Sequence, residues 1–555
     1  MAEEIERTQT SVFIVGGGPV GLAMALLLDR FGIDCVVAEK SPTTTEHPKS
    51  RGCSARTMEL FRQWGIEDAL RARGLPDGSD VFAFVESVAG KEYGRTRPEP
   101  DLGQTPAWKC LVAQDAVEEE ILRVLEPSRH ARVLFSTEAT SISETGDQVT
   151  IRTRSLKSGA EEQWRARYVI AADGAGSQIR RETGIEMVGP ATLAVMANEY
   201  WRGDLSTVAS VGGTTAFFIT PKEPGALSST ILNTNGRDRW LSLFATSLDE
   251  RAKPQDDAEL IQFIRRQTGS ADFDVKLINR STWRMSRQVA SEFKRGRVFL
   301  VGDAAHRFPP TGGFGLNSGV QDAHNLAWKI AFVLAGAASG RLLDTYSAER
   351  KPVAESNADF SLGNSFRFPL VSEAIRSGNP DQIAFRIDDV DNHLHSIGQS
   401  LGFAYEHGAL IPDGTAPSAH DTRHYRPNDR PGSRFPHLWL DPARRHSTLD
   451  WFDLRFTLVA GPMGAEWIEA GRRVSKKINL PLDLQLLPTA NPADGFLIGL
   501  RGAALVAARR ARRVPDALAP ARSGSRTGTG FIRTSALKNQ AQSSIRPPRH
   551  EGTRK

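Results

Sequence analysis

Cysteine is scarce in this chain of 555 residues. Its three cysteines, Cys35, Cys53 and Cys110, show no C-x-x-C spacing, which argues against a disulfide framework, a zinc site or a redox pair. We therefore expect no metal site. The same cysteine usage fits a reducing compartment, so we predict a cytoplasmic protein.

Long apolar runs are also missing. No stretch of about 18 apolar residues occurs, so we expect no membrane span. The opening residues, M-A-E-E-I-E-R, are acidic rather than basic, and we expect no secretion signal. With 40% hydrophobic and 24% charged residues, the composition predicts a globular protein of several domains.

The folded body lacks the excess of basic residues that the net charge of +5 suggests. Residues 507–555 contain 12 Lys or Arg and 2 Asp or Glu, whereas residues 1–506 contain 58 and 63. The tail is rich in Ala, Arg, Pro, Gly and Ser, and we predict that it is disordered and outside the fold. Our hypothesis is a frame change near residue 506. Binding of nucleic acid or a membrane surface by the tail is a disfavoured alternative.

One βαβ unit near the N-terminus organises the chain. Within Val12–Glu39, a short buried strand precedes Gly16, Gly18 and Gly21, which fit G-x-G-x-x-G. An apolar helix and a second buried strand follow, and Glu39 ends that strand where a carboxylate can bind a ribose. The helix N-terminus offers free N–H groups to phosphates, so the unit predicts dinucleotide binding.

Two further motifs follow predicted strands. A-D-G-A-G-S at 172–177 places Asp173 at the carboxyl end of a strand, where ligands gather in α/β sheets. G-D-A-A-H-R-F-P-P-T-G-G-F-G-L-N at 302–317 follows another buried strand. We expect Phe308–Gly315 to be a non-helical loop, with Asn317 or Ser318 capping the long apolar helix that follows.

The rest of the chain divides by its hydrophobic pattern. Residues 1–190 and 291–394 predict the two parts of a cofactor domain with connecting helices. Residues 191–290 alternate with period two, which predicts a mainly antiparallel sheet for substrate binding. Residues 395–506 predict a third α/β unit. No second glycine-rich nucleotide fold is evident.

Taken in order, the three motifs resemble those of the FAD-dependent aromatic hydroxylases, the group A flavoprotein monooxygenases. The segment G-F-G-L-N-S-G-V-Q-D-A-H-N-L-A-W-K is typical of the phenol and chlorophenol hydroxylase branch. The resemblance covers roughly residues 10–506. It implies an α/β fold with a Rossmann-like FAD-binding domain, an interleaved mainly antiparallel substrate domain and a C-terminal thioredoxin-like domain. Without redox cysteines, that last domain would be structural or would support a homodimer.

The resemblance also implies cofactor contacts. A positive helix end near the flavin would stabilise its reduced, anionic form. Asp173 is linked in the family to both FAD and the nicotinamide cofactor. The implied FAD contacts are Gly16, Gly18 and Gly21 at the pyrophosphate, Glu39 at the adenosine ribose, Arg51 and Gln114 on the flavin side, Asp303 at the ribityl chain or phosphates, and Gly315, Leu316 and Asn317 at the pyrimidine ring.

The implied reaction consumes NADPH or NADH and molecular oxygen. Reduced FAD would form a C4a-hydroperoxide that hydroxylates a small phenol-like aromatic substrate. The sequence identifies no catalytic base. His306 is interpreted as structural rather than as a proton carrier, and for Tyr200 and Trp201 ordinary packing is favoured over pocket lining.

Two alternatives stay open within this fold. One is a tailoring hydroxylase of a polycyclic polyketide or an antibiotic. The other is an inactive or uncoupled FAD-binding NAD(P)H oxidase. Pocket volume would separate the first from a phenol hydroxylase, and coupling of NADPH use to product would separate the second.

Overall fold

The computed structural model describes residues 7–222, 226–246, 256–417, 419–428, 430–462, 464–487 and 503–506. The basic tail at 507–555, and with it the hypothesis of a frame change, lies outside the described residues.

The first part of the chain builds most of an eight-stranded sheet. Its apolar strands are buried on both faces, as their β-branched and aromatic residues predict. In chain order the elements are β1 (Arg7–Val15), α1 (Pro19–Arg30), β2 (Cys35–Ala38), α2 (Ala55–Gln63), α3 (Glu67–Arg73), β3 (Val81–Val85), β4 (Glu92–Arg95), α4 (Gln114–Leu125), β5 (Ala131–Leu134), β6 (Thr137–Thr145), β7 (Gln148–Ser155), β8 (Glu161–Ala171) and α5 (Gln178–Glu182).

A second sheet, of seven strands, follows in sequence. The strands Ser229–Asn233 and Arg239–Thr246 pair antiparallel and form a hairpin around Asn235–Gly236. The elements of this stretch of the chain are β9 (Met187–Val188), which belongs to a separate three-stranded sheet, β10 (Ala194–Arg202), β11 (Thr214–Ile219), β12 (Ser229–Asn233), β13 (Arg239–Thr246), α6 (Asp257–Thr268) and β14 (Lys276–Met285).

The chain then returns to the first sheet and ends in a third unit. Its elements are β15 (Gln288–Ala290), β16 (Lys294–Arg295), β17 (Val298–Leu300), β18 (His306–Arg307), α7 (Phe314–Leu334), α8 (Thr345–Ser365), α9 (Arg367–Ser377), α10 (Pro380–Leu394), α11 (Ile397–Leu401), β19 (Phe456–Ala460), α12 (Ala465–Ile478), β20 (Leu482–Leu486) and β21 (Ala503–Val506).

The order of strands in the first sheet explains where the motifs meet. Along the sheet the order is β16-β17-β8-β1-β2-β5, and every pair from β17 to β5 is parallel. Val15 pairs with Ala171, and Ala171 pairs with Leu300. The three motifs therefore leave the same edge of the sheet, at the carboxyl ends of neighbouring strands.

The seven-stranded sheet, ordered β14-β10-β13-β12-β11-β3-β4, corrects one predicted boundary. Strands β3 and β4 come from residues 81–95, which the sequence assigned to the cofactor domain. Their apolar run Val81–Val85 is buried on both faces, like a strand of the first sheet, so the pattern alone could not tell the two sheets apart. The division of the chain into domains otherwise stays a prediction.

The described part of the third unit contains a small sheet. Strand β19 pairs parallel with β20 and antiparallel with β21, and α12 packs against β19 and β20. This α/β arrangement agrees with the fold class that the sequence predicts.

Candidate functional site

The glycine turn after β1 combines two tightly packed glycines with one that faces open space. A Cβ on Gly16 would lie 2.3 Å from the carbonyl oxygen of Ala172, and one on Gly21 would lie 2.0 Å from the carbonyl oxygen of Gly16. Around a Cβ on Gly18 there is no atom within 4 Å. Gly18 begins α1 without a side-chain cap, so the helix N–H groups face that open space and fit a pyrophosphate.

Glu39 lies beside this turn. Its Oε2 accepts a hydrogen bond from the Gly17 N–H at 2.6 Å, and its Oε1 accepts one from the Ser41 N–H at 2.8 Å. The carboxylate therefore stands next to the glycine turn at the end of β2. This position suits a ribose contact, which stays a prediction.

Asp303 lies on a single 3₁₀ turn, Gly302–Ala304, that follows β17. Its neighbours are buried, whereas its own side chain is open to solvent within a recess. Loss of hydration among the surrounding protein atoms raises the pKa of its carboxyl above the usual value. The charges of His306, Lys49 and Arg307 oppose this shift. The carboxylate is thus available to hydroxyl donors of a ligand.

The start of α7 corrects the predicted cap. Gly313 adopts a left-handed conformation with φ of +68° and begins the helix, so Phe314 and Gly315 are already helical. Asn317 lies inside the first turn of the helix, so its side chain does not cap the helix and can bond elsewhere. Its Oδ1 accepts from the Ser54 N–H at 2.8 Å, and its Nδ2 donates to the carbonyl oxygen of Gly52 at 3.0 Å.

The first turn of α7 suits a flavin ring. No side chain caps it, and a Cβ on Gly315 would have no atom within 4 Å. Leu316 is buried behind this surface. Uncapped N–H groups beside open space match the predicted role of Gly315, Leu316 and Asn317 at the pyrimidine ring, a role that remains untested.

Asp173 follows β8 and has one carboxylate oxygen free. Its Oδ2 accepts from the Ile179 N–H at 3.1 Å, whereas the buried Oδ1 has no partner among the described residues. Burial raises the pKa of this carboxyl, although hydrogen bonds from Ser177 and neighbouring N–H groups oppose the shift. A buried acceptor without a partner fits a ligand hydroxyl or amide.

Arg51 belongs to the segment 47–54, and Gln114 contacts that segment from α4. Gln114 is the first residue of α4, and its N–H donates to the Ser50 carbonyl oxygen at 2.9 Å. Arg51 reaches the other sheet instead, where Nη1 donates to the Oγ1 and the carbonyl oxygen of Thr215 and to the carbonyl oxygen of Asn233, at 3.0–3.1 Å. The part of the molecule that carries the three motifs is called the cofactor side below. Arg51 therefore joins the cofactor side to the seven-stranded sheet.

Tyr200 and Trp201 point to opposite faces of that sheet, as strand alternation requires. The Tyr200 ring lies 5.8 Å from His47 of the cofactor side. Trp201 lies in the core on the other face, where its indole N–H donates to Ser242 at 3.0 Å. The packing interpretation fits Trp201, and Tyr200, which is also buried, faces His47.

The face toward the cofactor side is apolar and incompletely covered. Phe218 and Leu232 on the central strands are half-buried, and α9 and α10 cover the remainder. Phe218 stacks on Phe368 of α9 at 4.6 Å, and His393 of α10 approaches Phe82 at 5.1 Å. The sequence gives no signal for His393, because one histidine in an amphipathic helix has no distinctive spacing.

His306 is structural in its contacts. Its Nε2 and Asp322 Oδ2 lie 2.6 Å apart, Arg350 Nε donates to Asp322 Oδ1 at 2.7 Å, and all three side chains are fully buried. Burial opposes ionisation of Asp322, but the charges of His306 and Arg350 hold its pKa below the usual value. The sequence signal that could have revealed this cluster is Asp322 itself, because a carboxylate buried within an apolar helix requires a buried partner.

None of the helices in the described ranges is long and apolar enough to cross a bilayer. Among those same residues, His, Cys, Asp and Glu form no group of three or more that could hold a metal ion.

The chain is similar to known flavoenzymes over most of its length. Residues 9–361 match the model of the FAD binding domain family. A 4-methyl-5-nitrocatechol 5-monooxygenase from Burkholderia sp is 33% identical, covering 90% of this chain and 92% of the relative. A tetracenomycin A2 monooxygenase-dioxygenase from Streptomyces glaucescens is 35% identical over 85% and 86% of the two chains.

A solved structure extends the similarity to three dimensions. The flavin-dependent monooxygenase PieE, in complex with FAD and substrate, superposes with a TM-score of 0.84. The two sequences are 29% identical, and the superposition covers 91% of this chain and 95% of the PieE chain. The chain belongs to the FAD-binding family of FAD-dependent aromatic monooxygenases, with FAD as cofactor and the NAD(P)H cosubstrate typical of that family.

Proposed function

We propose that this monooxygenase hydroxylates a phenol-like aromatic ring, with molecular oxygen and NADPH or NADH as cosubstrates. One observation carries the proposal. Arg51, a cation without an acidic partner among the described residues, joins the cofactor side to the half-buried apolar face around Phe218 and Leu232. A flat apolar ring with one acidic hydroxyl matches such a surface in shape and charge.

Some residues of this chain would bind FAD, and others would exclude water from the reacting ring. When bound, FAD supplies electron transfer from NAD(P)H to oxygen and delivery of one oxygen atom to the ring. The turn around Gly18 and the start of α7 would hold the pyrophosphate and the flavin ring through backbone N–H groups. Asp303 and Asp173 would accept hydrogen bonds from cofactor hydroxyls. Phe218 and Phe368 would keep water from the reacting ring.

The names of two relatives support different substrate sizes. A nitrocatechol is a small acidic phenol, which agrees with the guanidinium of Arg51, a cation without an acidic partner among the described residues. The other relative is named for tetracenomycin A2, and a polycyclic substrate is therefore the second candidate. We favour the small phenol because four aromatic rings, Phe82, Phe84, Phe218 and Phe368, already occupy much of the apolar face.

A substrate panel tests the proposal. The FAD-loaded protein is incubated with simple phenols, nitrophenols, catechols and polycyclic phenols, and each is scored by stimulated NADPH and NADH oxidation, hydroxylated product and peroxide. We expect small phenols to stimulate oxidation with product formed in proportion. Stimulation by polycyclic phenols alone would favour the second candidate, and oxidation that yields only peroxide with every compound would reject hydroxylation. A homodimer through the third unit remains a proposal that light scattering can test.

A further inference from the structure

The carboxylate of Glu118 is buried on the cofactor side and forms no salt bridge with any of the described residues. Glu118 lies on α4, one helical turn after Gln114, and is 2% exposed. Its Oε1 accepts a hydrogen bond from Gln114 Nε2 at 2.7 Å, and its Oε2 accepts one from the Thr45 N–H at 2.8 Å. Burying a carboxylate without a salt bridge is costly, which indicates a role in the site rather than in stability.

The surroundings of Glu118 act on its ionisation in both directions. Burial raises the pKa of this carboxyl, and the charge of Glu39 adds to the shift, whereas the hydrogen bonds from Gln114 and Thr45 and the charge of Lys49 oppose it. An ionised carboxylate only accepts hydrogen bonds. Gln114 must therefore turn its amide nitrogen, and not its amide oxygen, toward Glu118.

This contact leaves the amide oxygen of Gln114 for the cofactor. Gln114 is the first residue of α4, and no hydrogen bond to its Oε1 occurs within the described part of the chain. The sequence resemblance places Gln114 on the flavin side of FAD. The flavin half of FAD carries hydroxyl groups on its ribityl chain and an N–H on its ring, and both kinds of group donate hydrogen bonds to an acceptor.

We infer that Glu118 is a positioning residue, which orients the Gln114 amide so that its oxygen accepts a hydrogen bond from the flavin half of FAD. The two orientations of a glutamine amide are decided by its hydrogen-bond partners. Glu118 selects one of them, and the Thr45 N–H holds the carboxylate in place. The inference concerns FAD binding, so it holds whichever aromatic compound is hydroxylated.

Glu118→Gln reverses this network with almost no change of shape. The backbone N–H of Thr45 is a fixed donor and takes the oxygen of the new amide, whose nitrogen then faces Gln114. Gln114 has to turn its own oxygen toward that nitrogen and presents its nitrogen to FAD. Two donors then face each other at the cofactor, and one hydrogen bond is lost.

The double variant Gln114→Glu with Glu118→Gln restores the direction of the network. A carboxylate at position 114 accepts from the new amide with one oxygen and offers the other oxygen to FAD. Position 114 begins α4, where the helix dipole favours a negative charge, and the net charge equals that of the wild type. Glu119→Gln is the matched control, because Glu119 is the next residue of α4 but is exposed and pairs with Arg73 at 2.6 Å.

The experiment titrates each apoprotein at about pH 8, well above the ordinary range of a carboxyl. FAD binding is read from flavin fluorescence, and binding of ADP, which lacks the flavin half, is read from competition with FAD. We expect Glu118→Gln to weaken FAD binding by about tenfold or more and to leave ADP binding unchanged. The double variant should recover most of the FAD affinity. Glu119→Gln should match the wild type, and all apoproteins should unfold at similar temperatures.

Three results would overturn the inference. Unchanged FAD affinity in Glu118→Gln shows that the orientation of the Gln114 amide does not matter. Equal losses of FAD and ADP affinity show that Glu118 serves the adenosine half or the fold through Thr45. A double variant that binds FAD no better than Glu118→Gln shows that FAD needs no acceptor at position 114. If Glu118→Gln does not fold, the double variant decides alone, since FAD affinity near the wild-type value supports the inference and weak FAD binding rejects it.

Discussion

The cofactor side and the seven-stranded sheet are built by different means. On the cofactor side, the groups that face the site are mostly backbone atoms, displayed by the turn at Gly16–Gly21 and by the first turn of α7. On the seven-stranded sheet, which we propose to be the substrate side, the groups at the site are side chains from separate segments. Arg51, Thr215 and His393 come together only through the register of β11 against β3.

This difference decides what each side tolerates. A backbone surface depends on glycine, because a Cβ either strikes a neighbouring carbonyl or fills the space of the ligand. A side-chain surface is held by several contacts, and each can be changed singly at a modest cost. Substitutions on the cofactor side should therefore have large effects on folding or FAD binding, and those on the substrate side should mainly change catalysis.

The largest effect is expected at Gly21. Gly21→Val should destabilise the protein by about 4 kcal/mol or more, because its Cβ would lie 2.0 Å from the Gly16 carbonyl oxygen. Gly18→Val is the matched control, since its Cβ meets no atom within 4 Å. It should fold normally yet lose FAD, because the new side chain fills the pyrophosphate position. Thermal unfolding of the apoproteins and FAD content separate the two effects.

If Gly18→Val instead unfolds like Gly21→Val, the open space at Gly18 serves the fold and the distinction between the glycines is lost. If Gly18→Val keeps full FAD occupancy, the pyrophosphate does not lie at the start of α1.

The same difference explains which parts of the site could be predicted from the sequence. Gly16, Glu39, Asp173 and Asp303 follow strands in fixed motifs, so their meeting at one sheet edge was predictable. The partners of Arg51 were not, because they depend on the pairing of strands that lie about 165–180 residues away. Sequence spacing carries no information on such a register until the sheet is known.

Two smaller errors have local causes. The sequence placed the cap of α7 at Asn317 or Ser318, since asparagine and serine are strong caps. The left-handed Gly313 began the helix earlier and released Asn317 to hold the segment Gly52–Ser54. Similarly, Val81–Val85 reads as a strand of either sheet, because both faces are buried.

A buried charge cluster behind the cofactor side should make its stability depend on pH. Burial opposes ionisation of Glu59 on α2, but Arg434 and Arg56 hold its pKa at about 2, below the ordinary 4.5. The carboxylate therefore stabilises the folded state above about pH 4.5, and this contribution is lost as the pH falls toward 2. The shift corresponds to about 3 kcal/mol.

Glu59→Gln should remove this acid-dependent part of the free energy of unfolding, measured by denaturant titration from pH 7 down to 3. Glu138→Gln is the control, because that carboxylate pairs with Arg154 at an exposed site. A Glu59→Gln protein with the same pH dependence as the wild type would contradict the assignment of the lowered pKa to Glu59.

Asp303 tests whether a side chain on the cofactor side can be removed without harm to the fold. Asp303→Asn should weaken FAD binding by about 10–100-fold, since a charge-assisted hydrogen bond contributes about 1.5–3 kcal/mol. The apoprotein should unfold at the wild-type temperature, because the side chain is open to solvent. FAD fluorescence titration measures the affinity, and an unchanged Kd would show that Asp303 does not contact the cofactor.

The smallest effect is expected on the substrate side, at Thr215. Thr215→Val removes one of three acceptors of Arg51 Nη1 and keeps a β-branched side chain in a buried strand position. The other two acceptors are backbone carbonyls that no substitution removes. We expect a loss of about 1 kcal/mol in stability, a rise of about fivefold in KM for a phenol, and unchanged FAD content.

Thr214→Val is the matched control, because Thr214 is equally buried but Arg51 donates its hydrogen bonds to Thr215 and Asn233 instead. It should leave KM unchanged. If Thr215→Val behaves like this control, Arg51 is not held where the structure has it. If Thr215→Val costs as much stability as Gly21→Val, the substrate side is as intolerant as the cofactor side. The contrast between a backbone surface and a side-chain surface would then fail, because one hydroxyl would be as essential as a glycine in the pyrophosphate turn.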